Sequence, residues 1–291
     1  MDSNDFERFI SEISAFCSDN CIIEQYSDYY GYLIKGINGI RKIVKKYCND
    51  TELKLFEKHV KKIEKIYRCF LKGNIQSAST LMRNYFYANN FNDNLIINLD
   101  EEKFFRCRDT VNSEKPFADE MFHIPFSLRH KTRNFRFSIS GFPCLYLADT
   151  IECCIKETNI AEESAIVAAF TLEDSVRCYD LTLECFEISD VNLYLKKVLI
   201  VFASSFQIRN SEDESAGGKS ASFISFYVVP QMLTASIASK NDVVRCIRYK
   251  STIDTNGVNY VFIPQMNYLK SKQEYDKELQ NKFKITRISN Q

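Results

Sequence analysis

The side chains best suited to chemistry lie in one stretch of the chain, residues 122–158. Arg136 precedes a glycine turn, Tyr146 lies in the short apolar segment after the turn, and Glu157 follows at a spacing of eleven residues. A guanidinium binds phosphate oxygens in bidentate fashion, and an aromatic ring offers rigid apolar contact. The position of Glu157 alone leaves two interpretations open, a partly buried functional carboxylate and an ordinary surface one.

Arg136 also closes a basic cluster that is compressed into eight residues. The cluster predicts an anion-binding cradle, since arginine forks match phosphate oxygens. A solvated loop is the alternative that the composition leaves open. The members of the cluster are Arg129, His130, Lys131, Arg133 and Arg136.

Two local elements must position Tyr146 and Glu157. The apolar segment 144–147 predicts a strand, and the helix that follows is predicted to begin near Asp149. Asp149 with Glu152 three residues later fits an N-cap and its N3 glutamate. Glu157 then lies two turns into the helix, at the rim of its inward face.

The chain divides into two parts with different residue patterns. Apolar residues from Phe56 to Phe70 recur at helical spacing, so residues 1–95 are predicted to form a helical domain with a sensing, assembly or regulatory role. Polar residues 89–93 mark the best boundary. Beyond it, short strands alternate irregularly with helices, which predicts an α+β domain over 96–291. A terminal helix is predicted over 272–283.

Composition limits the functional classes. Lys+Arg and Asp+Glu both number 38, so no net charge favours nucleic acid or an anionic membrane. The 11 cysteines and three histidines include no CxxC pair, which predicts reduced thiols in a cytoplasmic protein and no metal site. The N-terminus has no apolar leader segment. Residues 217–220 (GGKS) lack the earlier glycine of a phosphate loop, and no GxGxxG occurs.

Residues 136–157 resemble the RES domain family, which is named for its Arg, Glu and Ser. Their sequence is RFSISGFPCLYLADTIECCIKE. That family places an arginine before a glycine turn, a tyrosine in an LYLA-like strand and a glutamate on the next helix. Residues 105–108 (FRCR) are similar to the family's opening strand, and residues 122–125 (FHIP) to a segment of one branch. The segment ending at Ser251 resembles the strand that bears the serine, although Ser220, Ser222 and Ser225 compete for that position. The resemblance covers roughly residues 100–265.

The resemblance implies a mixed β-sheet core like that of ADP-ribosyltransferases and an enzyme that cleaves NAD at its nicotinamide–ribose bond. It implies catalytic roles for Arg136, Tyr146, Glu157 and Ser251. Glu157 would stabilise the ribosyl cation, Arg136 would bind a phosphate or ribose oxygen, Tyr146 would contact the nicotinamide end, and Ser251 would bind the ribose or amide. Substrate-binding roles are expected for Arg106, Arg108, His123, Arg129 and Arg133.

Several functional points stay open in the sequence. The acceptor of the ribosyl group stays open between water, inorganic phosphate and a macromolecule; the resemblance favours water, or phosphate as a co-substrate, and implies that NAD is a substrate and not a cofactor. Alternatives are an ADP-ribosyltransferase that modifies a macromolecule and a non-enzymatic module that senses nucleotides. The resemblance further implies a toxin or defence effector, which would need a neutralising antitoxin or regulatory protein, or self-association into a homo-oligomer.

Overall fold

A computed structural model describes residues 3–23, 29–100, 102–111, 116–132, 134–183, 190–208, 224–240, 244–264, 277 and 279–288. Contacts divide the chain into two compact units. The first comprises Met1–Phe91, Asn134–Arg136 and Leu181–Ser236, and the second comprises Asn92–Arg133, Phe137–Asp180 and Ile237–Gln291. Both units are therefore discontinuous in sequence, whereas the sequence analysis places one boundary at residues 95 and 96. A division of function between 1–95 and 96–291 stays a prediction.

The described helices and strands follow one another irregularly along the chain. The helices are α1 (Ser3–Asp19), α2 (Tyr29–Tyr47), α3 (Asp50–Leu71), α4 (Ile75–Tyr87), α5 (Phe117–Met121), α6 (Ile151–Thr158), α7 (Val191–Ser204) and α8 (Val228–Ser239). The strands are β1 (Ile22–Ile23), β2 (Ile96–Leu99), β3 (Lys103–Arg108), β4 (Leu145–Ala148), β5 (Ile166–Leu172), β6 (Val176–Asp180), β7 (Gln207–Ile208), β8 (Cys246–Lys250), β9 (Val258–Phe262) and β10 (Phe283–Ile288). Short 3₁₀ segments lie at Ala88–Leu95, Phe126–Lys131, Glu162–Ser164 and Ser225–Tyr227. The predicted α+β class with an N-terminal helical region is confirmed.

Helix α3 illustrates how the N-terminal sequence encodes its structure. Asn49 caps the helix by accepting from the backbone amides of Thr51 and Glu52, and the Glu52 side chain accepts from the Asn49 amide in return. The helix buries one stripe of side chains and ends shortly before Gly73, whose φ of 77° is accessible mainly to glycine. The buried stripe contains Phe56, His59, Val60, Ile63, Ile66 and Tyr67. The predicted amphipathic helix is therefore confirmed.

Helix α7 is buried along almost its whole length, including Lys196 and Lys197. Within the first unit it packs against the N-terminal helices. The Tyr194 ring lies 5.6 Å from the Phe9 ring. The Tyr29 hydroxyl donates to the carbonyl of Ala203 at 3.2 Å. An apolar surface on all sides of a helix requires neighbours on all sides, which explains why residues 181–236 group with the N-terminal helices.

The second unit is organised around one eight-stranded sheet in the order β10-β5-β3-β4-β9-β8-β6-β2. Only β6 and β8 pair in parallel among its described strand pairs. The first unit holds a separate parallel pair, β1 and β7. The central strands β3, β4 and β9 bring their residues beside helix α6, which packs on β3 and β4. The sheet therefore supplies the frame on which distant polar residues can meet.

Two local expectations are corrected. Thr150, not Asp149, is the N-cap of α6, because its hydroxyl accepts from the Cys153 amide at 3.1 Å. Glu152 is therefore the second helical residue and not the N3 cap. The predicted terminal helix is wrong at its end, where residue 283 opens strand β10, paired antiparallel with β5; residues 272–276 and 278 lie outside the described residues. Residues 217–220 also lie outside them. No helix among the described residues has the length and apolarity to span a bilayer.

Candidate functional site

The carboxylate of Glu157 is the centre of the candidate site. Glu157 lies in the last turn of α6 and is partly buried. Its Oε1 accepts from the Ser251 hydroxyl at 2.7 Å and from Asn259 Nδ2 at 2.5 Å. No residue within the described part of the chain donates to the second oxygen, Oε2. One oxygen is thus fixed by the protein, and the other can face a substrate.

Ser251 is buried at the end of β8 and its hydroxyl is oriented by the backbone. The Oγ accepts from the amides of Ile253 at 3.1 Å and Asp254 at 2.9 Å. With both amides as donors to Oγ, the hydroxyl proton points to Glu157. A Ser-type turn of this kind holds a side chain at low entropic cost, since the backbone already defines the loop.

Asn259 is the site residue that sequence reasoning missed. It lies in β9 and is buried. The sequence did contain a signal for this residue. Asn259 places an amide side chain between Val258 and Tyr260, in a strand that is buried at every position. A buried amide needs hydrogen-bond partners. Here its NH₂ group donates to Glu157, which makes it a second orienting donor.

Close packing between α6 and the loop after β8 sets the position of Ser251. Gly257 closes this loop: its carbonyl accepts from the Ser251 amide and its amide donates to the Asp254 carbonyl. A Cβ at Gly257 would collide with the thiol of Cys153 and lie 2.9 Å from Cys153 Cβ. The absence of a side chain at Gly257 therefore allows the loop to approach the helix that carries Glu157.

Tyr146 lies in β4, with its hydroxyl already occupied. Its Oη accepts from the Phe137 amide at 3.1 Å and lies 2.9 Å from the Ser138 hydroxyl. Burial raises the pKa of the Tyr146 phenol well above its usual range, so it stays protonated at neutral pH. The hydroxyl thus ties residues 137 and 138 to the sheet, and the contact of the ring with a substrate stays a prediction.

Arg106 and Arg108 lie two residues apart on β3 and share one face of the strand. Arg106 Nη1 donates to the Tyr146 carbonyl at 2.9 Å, and Arg108 Nη2 donates to the Phe122 carbonyl at 3.0 Å. The Nε of each is buried and has no hydrogen-bond partner among the described residues. Burial lowers the pKa of Arg106 to about 10 and lowers that of Arg108. Two such guanidiniums with free donors suit an anionic ligand.

Two of the remaining predicted residues, His123 and Arg129, make other contacts in the structure. His123 is buried and its Nδ1 donates to the Ile124 carbonyl at 2.8 Å. Arg129 is exposed, with its guanidinium 4.7 Å from the Phe126 ring centroid. Arg133 lies outside the described residues, and Arg136 belongs to the first unit. A shared role of Arg136 with Glu157, and the anion cradle built from the basic cluster, stay predictions.

Neither a metal cluster nor a disulfide marks the site. Among the described residues no group of three or more His, Cys, Asp or Glu side chains could hold a metal ion. The ten cysteines of the described chain are free thiols, eight of them buried. Burial raises the pKa of the Cys153 thiol beside Glu157 to about 12, so it is protonated at neutral pH. The chemistry available from the described residues rests on the carboxylate, the amide, the hydroxyl and the guanidiniums.

Comparison with known proteins assigns the family. The RES domain family model matches residues 104–280, which include Arg106, Tyr146, Glu157, Ser251 and Asn259. The protein "Putative toxin YopC" of Bacillus subtilis (strain 168) is 27% identical over 215 residues, covering 65% of this chain and 47% of the relative. The chain thus spans about half the length of that curated relative. Because the family model covers more than half of the chain, this protein belongs to the RES domain family.

Proposed function

We propose that this chain is an NAD-consuming enzyme that cleaves the nicotinamide–ribose bond, by phosphorolysis or hydrolysis. The observation that carries the proposal is the Glu157 carboxylate, held on one oxygen by Ser251 and Asn259 while the other accepts nothing from the described residues. Membership of the RES domain family supports NAD as the substrate class. A carboxylate held in this way is preorganised to face a cation.

The chemistry of NAD cleavage fits such a site. Nicotinamide leaves as a neutral ring from a cationic one, so its departure needs little acid catalysis. Positive charge then develops on the ribosyl carbon, as at the sugar in glycoside hydrolysis. Glu157 stabilises that charge directly or by holding a ribose hydroxyl. The donors Ser251 and Asn259 keep its free oxygen in place, so little reorganisation is needed during the reaction.

Arg106 and Arg108 bind the diphosphate of NAD in this proposal. Their buried Nε donors lack partners among the described residues, and two negative phosphates would supply acceptors. A buried donor atom without an acceptor is costly, whereas a guanidinium paired with a phosphate is stabilised by charge-assisted hydrogen bonds. Arg136 is proposed to add a further phosphate or ribose contact, and Tyr146 to hold the nicotinamide end.

Product analysis tests the proposal and identifies the acceptor. Purified protein is incubated with NAD, with and without inorganic phosphate, and the products are separated and weighed by mass spectrometry. Water as acceptor gives nicotinamide, ADP-ribose and a proton. Phosphate gives nicotinamide and ADP-ribose 1″-phosphate. Nicotinamide release that depends on an added protein, with ADP-ribose attached to it, would instead identify a transferase. An unchanged NAD concentration in every reaction would contradict the proposed enzymatic activity.

A cellular experiment tests the proposed role as a toxin. The name of the Bacillus subtilis relative supports this role. Induced expression in a bacterium should lower the NAD concentration and stop growth, and Glu157→Gln expressed at equal abundance should do neither. An active protein of this kind requires restraint by an antitoxin or regulatory protein. Growth and NAD that stay normal with abundant wild-type protein would contradict unrestrained activity.

A further inference from the structure

The first unit contains a group of basic side chains around one buried tyrosine, and only Lys196 of this group lies within residues 104–280 of the family match. The Lys62 and Lys196 ammonium groups lie 5.4 Å and 4.8 Å from the Tyr85 ring centroid. The His59 ring centroid lies 5.6 Å from the same ring. Polar side chains from helices α3, α4 and α7 thus meet around the Tyr85 ring.

Lys196 is the unusual member of this group. Its side chain is 4% exposed, and its ammonium lies 3.9 Å from the Phe91 ring centroid. No carboxylate among the described residues lies within ion-pair distance of Lys62 or Lys196. Cation–π contacts offset part of the desolvation of an ammonium, but they leave its charge uncompensated. An anion would supply that compensation.

Two further buried atoms lack partners beside Lys196. His59 Nδ1 and the Tyr85 hydroxyl have no hydrogen-bond partner within the described part of the chain. His59 Nε2 is engaged by Asn192 Oδ1 at 2.9 Å, which makes Nε2 a donor and leaves Nδ1 of the neutral ring as an acceptor. A hydroxyl donor and an ammonium donor next to an acceptor match an oxyanion that carries a proton.

We infer that His59, Lys62, Tyr85 and Lys196 form a binding site for a small phosphate-bearing anion. Lys62 is partly exposed and forms the entrance, and the buried Lys196 binds the phosphoryl oxygens. The Tyr85 hydroxyl donates to the anion, and His59 Nδ1 accepts the proton of a monohydrogen phosphate. Free inorganic phosphate and the phosphate of a nucleotide share this chemistry. The site lies in the first unit, whereas Glu157 belongs to the second, and it does not rest on the proposed NAD chemistry.

The depth of the site favours this ligand class over a partner protein. A side chain that is only 4% exposed offers almost no surface to a folded partner protein. Burial and the charge of Lys62 lower the pKa of Lys196 to about 7, and burial with the nearby lysines 58, 62 and 196 lowers that of His59 to about 4. Both shifts disfavour the charged form, as expected for buried basic groups that lack a local counter-charge, which an anion would supply.

Histidine NMR of the full chain tests the inference, because the sequence has only three histidines. The His59 ring signal is assigned by its loss in His59→Gln. We expect it to shift saturably with inorganic phosphate at constant ionic strength, and not with chloride. A parallel titration with AMP distinguishes the sources: saturation at lower AMP than phosphate concentrations identifies a nucleotide phosphate, and the reverse order identifies the free ion.

Variants decide whether Lys196 is the anion ligand. Lys196→Met keeps the length and apolar stem of the side chain and should weaken the phosphate response at least ~10-fold, the effect of one charge-assisted contact. Lys62→Met should weaken it less. Lys61→Met, an exposed lysine on the same helix, should leave it unchanged. A His59 signal that ignores both phosphate and AMP, or a response that is equal in Lys196→Met and wild type, would overturn the site.

Discussion

The Ser251 hydroxyl lies 2.7 Å from Glu157 Oε1, although 94 residues separate the two in sequence. Asn259 donates to the same oxygen at 2.5 Å. Helix α6, the end of β8 and strand β9 each contribute one member of this group. The group is therefore a product of the sheet, and its members can be tested one at a time.

Replacing Glu157 with Gln should remove the charge of the candidate catalytic carboxylate while keeping its size. If Glu157 stabilises a ribosyl cation, kcat for NAD cleavage should fall on the order of 10²–10³-fold, as for loss of one preorganised electrostatic group. NAD affinity should change much less, because the ground-state ribose carries only part of that charge. Steady-state rates and equilibrium binding measure the two effects. Wild-type turnover in Glu157→Gln would refute the proposed mechanism.

Glu152→Gln is the matched control on the same helix. The Glu152 side chain is 73% exposed and pairs with Lys156 at 2.6 Å. Surface pairs of this kind contribute little to stability, typically under ~1 kcal/mol. Activity should stay at the wild-type level, with only a small shift in Tm. An inactive but folded Glu152→Gln would mean that the wrong carboxylate has been assigned to the site.

Ser251→Ala should affect both stability and turnover. The change leaves the amides of Ile253 and Asp254 without the acceptor Oγ, which should cost about 1–3 kcal/mol of unfolding free energy. It also removes one donor that orients Glu157, so kcat should fall while KM changes less. Urea unfolding and steady-state kinetics measure these effects. Ser251→Thr retains the hydroxyl and should recover part of the lost rate; equal loss in both variants would contradict a role for the hydroxyl.

Gly257→Ala should displace the loop that carries Ser251. The added Cβ would collide with the Cys153 thiol and lie 3.1 Å from Asp254 Cβ. Overpacking of this kind costs about 1–3 kcal/mol. Cys153→Ala removes the sulfur, so the double variant should be more stable than the sum of the single effects implies. Additive losses in unfolding free energy would show that the two residues are not in steric contact.

His59 should make stability depend on pH between about 4 and 6.5. Burial lowers its folded-state pKa from 6.5 to about 4. In this window His59 binds a proton in the unfolded chain but not in the folded chain. The contribution of His59 to the unfolding free energy therefore rises with pH. Unfolding free energies of wild type and His59→Gln are compared in phosphate-free buffer. The wild type should show the steeper rise over this window, and parallel curves would contradict the buried neutral imidazole.

Deleting residues 1–95 should leave a fragment that does not fold by itself. Helix α7 is buried on nearly all sides, and its Tyr194 and Ala203 contact Phe9 and Tyr29 in the deleted part. The fragment 96–291 would expose that apolar surface, which promotes aggregation. Size-exclusion chromatography and circular dichroism compare it with the full chain. A monomeric, folded fragment that cleaves NAD would favour the single boundary predicted from sequence.

Elements whose causes are local can be predicted from the order of the residues. The spacing of apolar residues in α3 and its Asn49 cap each involve only a few neighbouring residues. The helix can therefore be predicted from sequence. The α+β class and the spacing of Tyr146 and Glu157 on a strand and the next helix follow in the same way. The sequence pattern places the N-cap of α6 one residue too early, because Asp149 and Thr150 are both good N-cap residues.

Contacts between distant residues depend instead on how the strands and helices are arranged in the fold. Strand order places β9 beside β4 and β8, which brings Asn259 and Ser251 to the helix that carries Glu157. It also gives β10 a place beside β5 and returns α7 to the N-terminal helices. Hydrogen-bond partners separated by about a hundred residues leave no periodic signal, because each is selected by long-range pairing and not by its neighbours. The candidate site is therefore a property of the folded sheet, while its motif residues are visible in the chain.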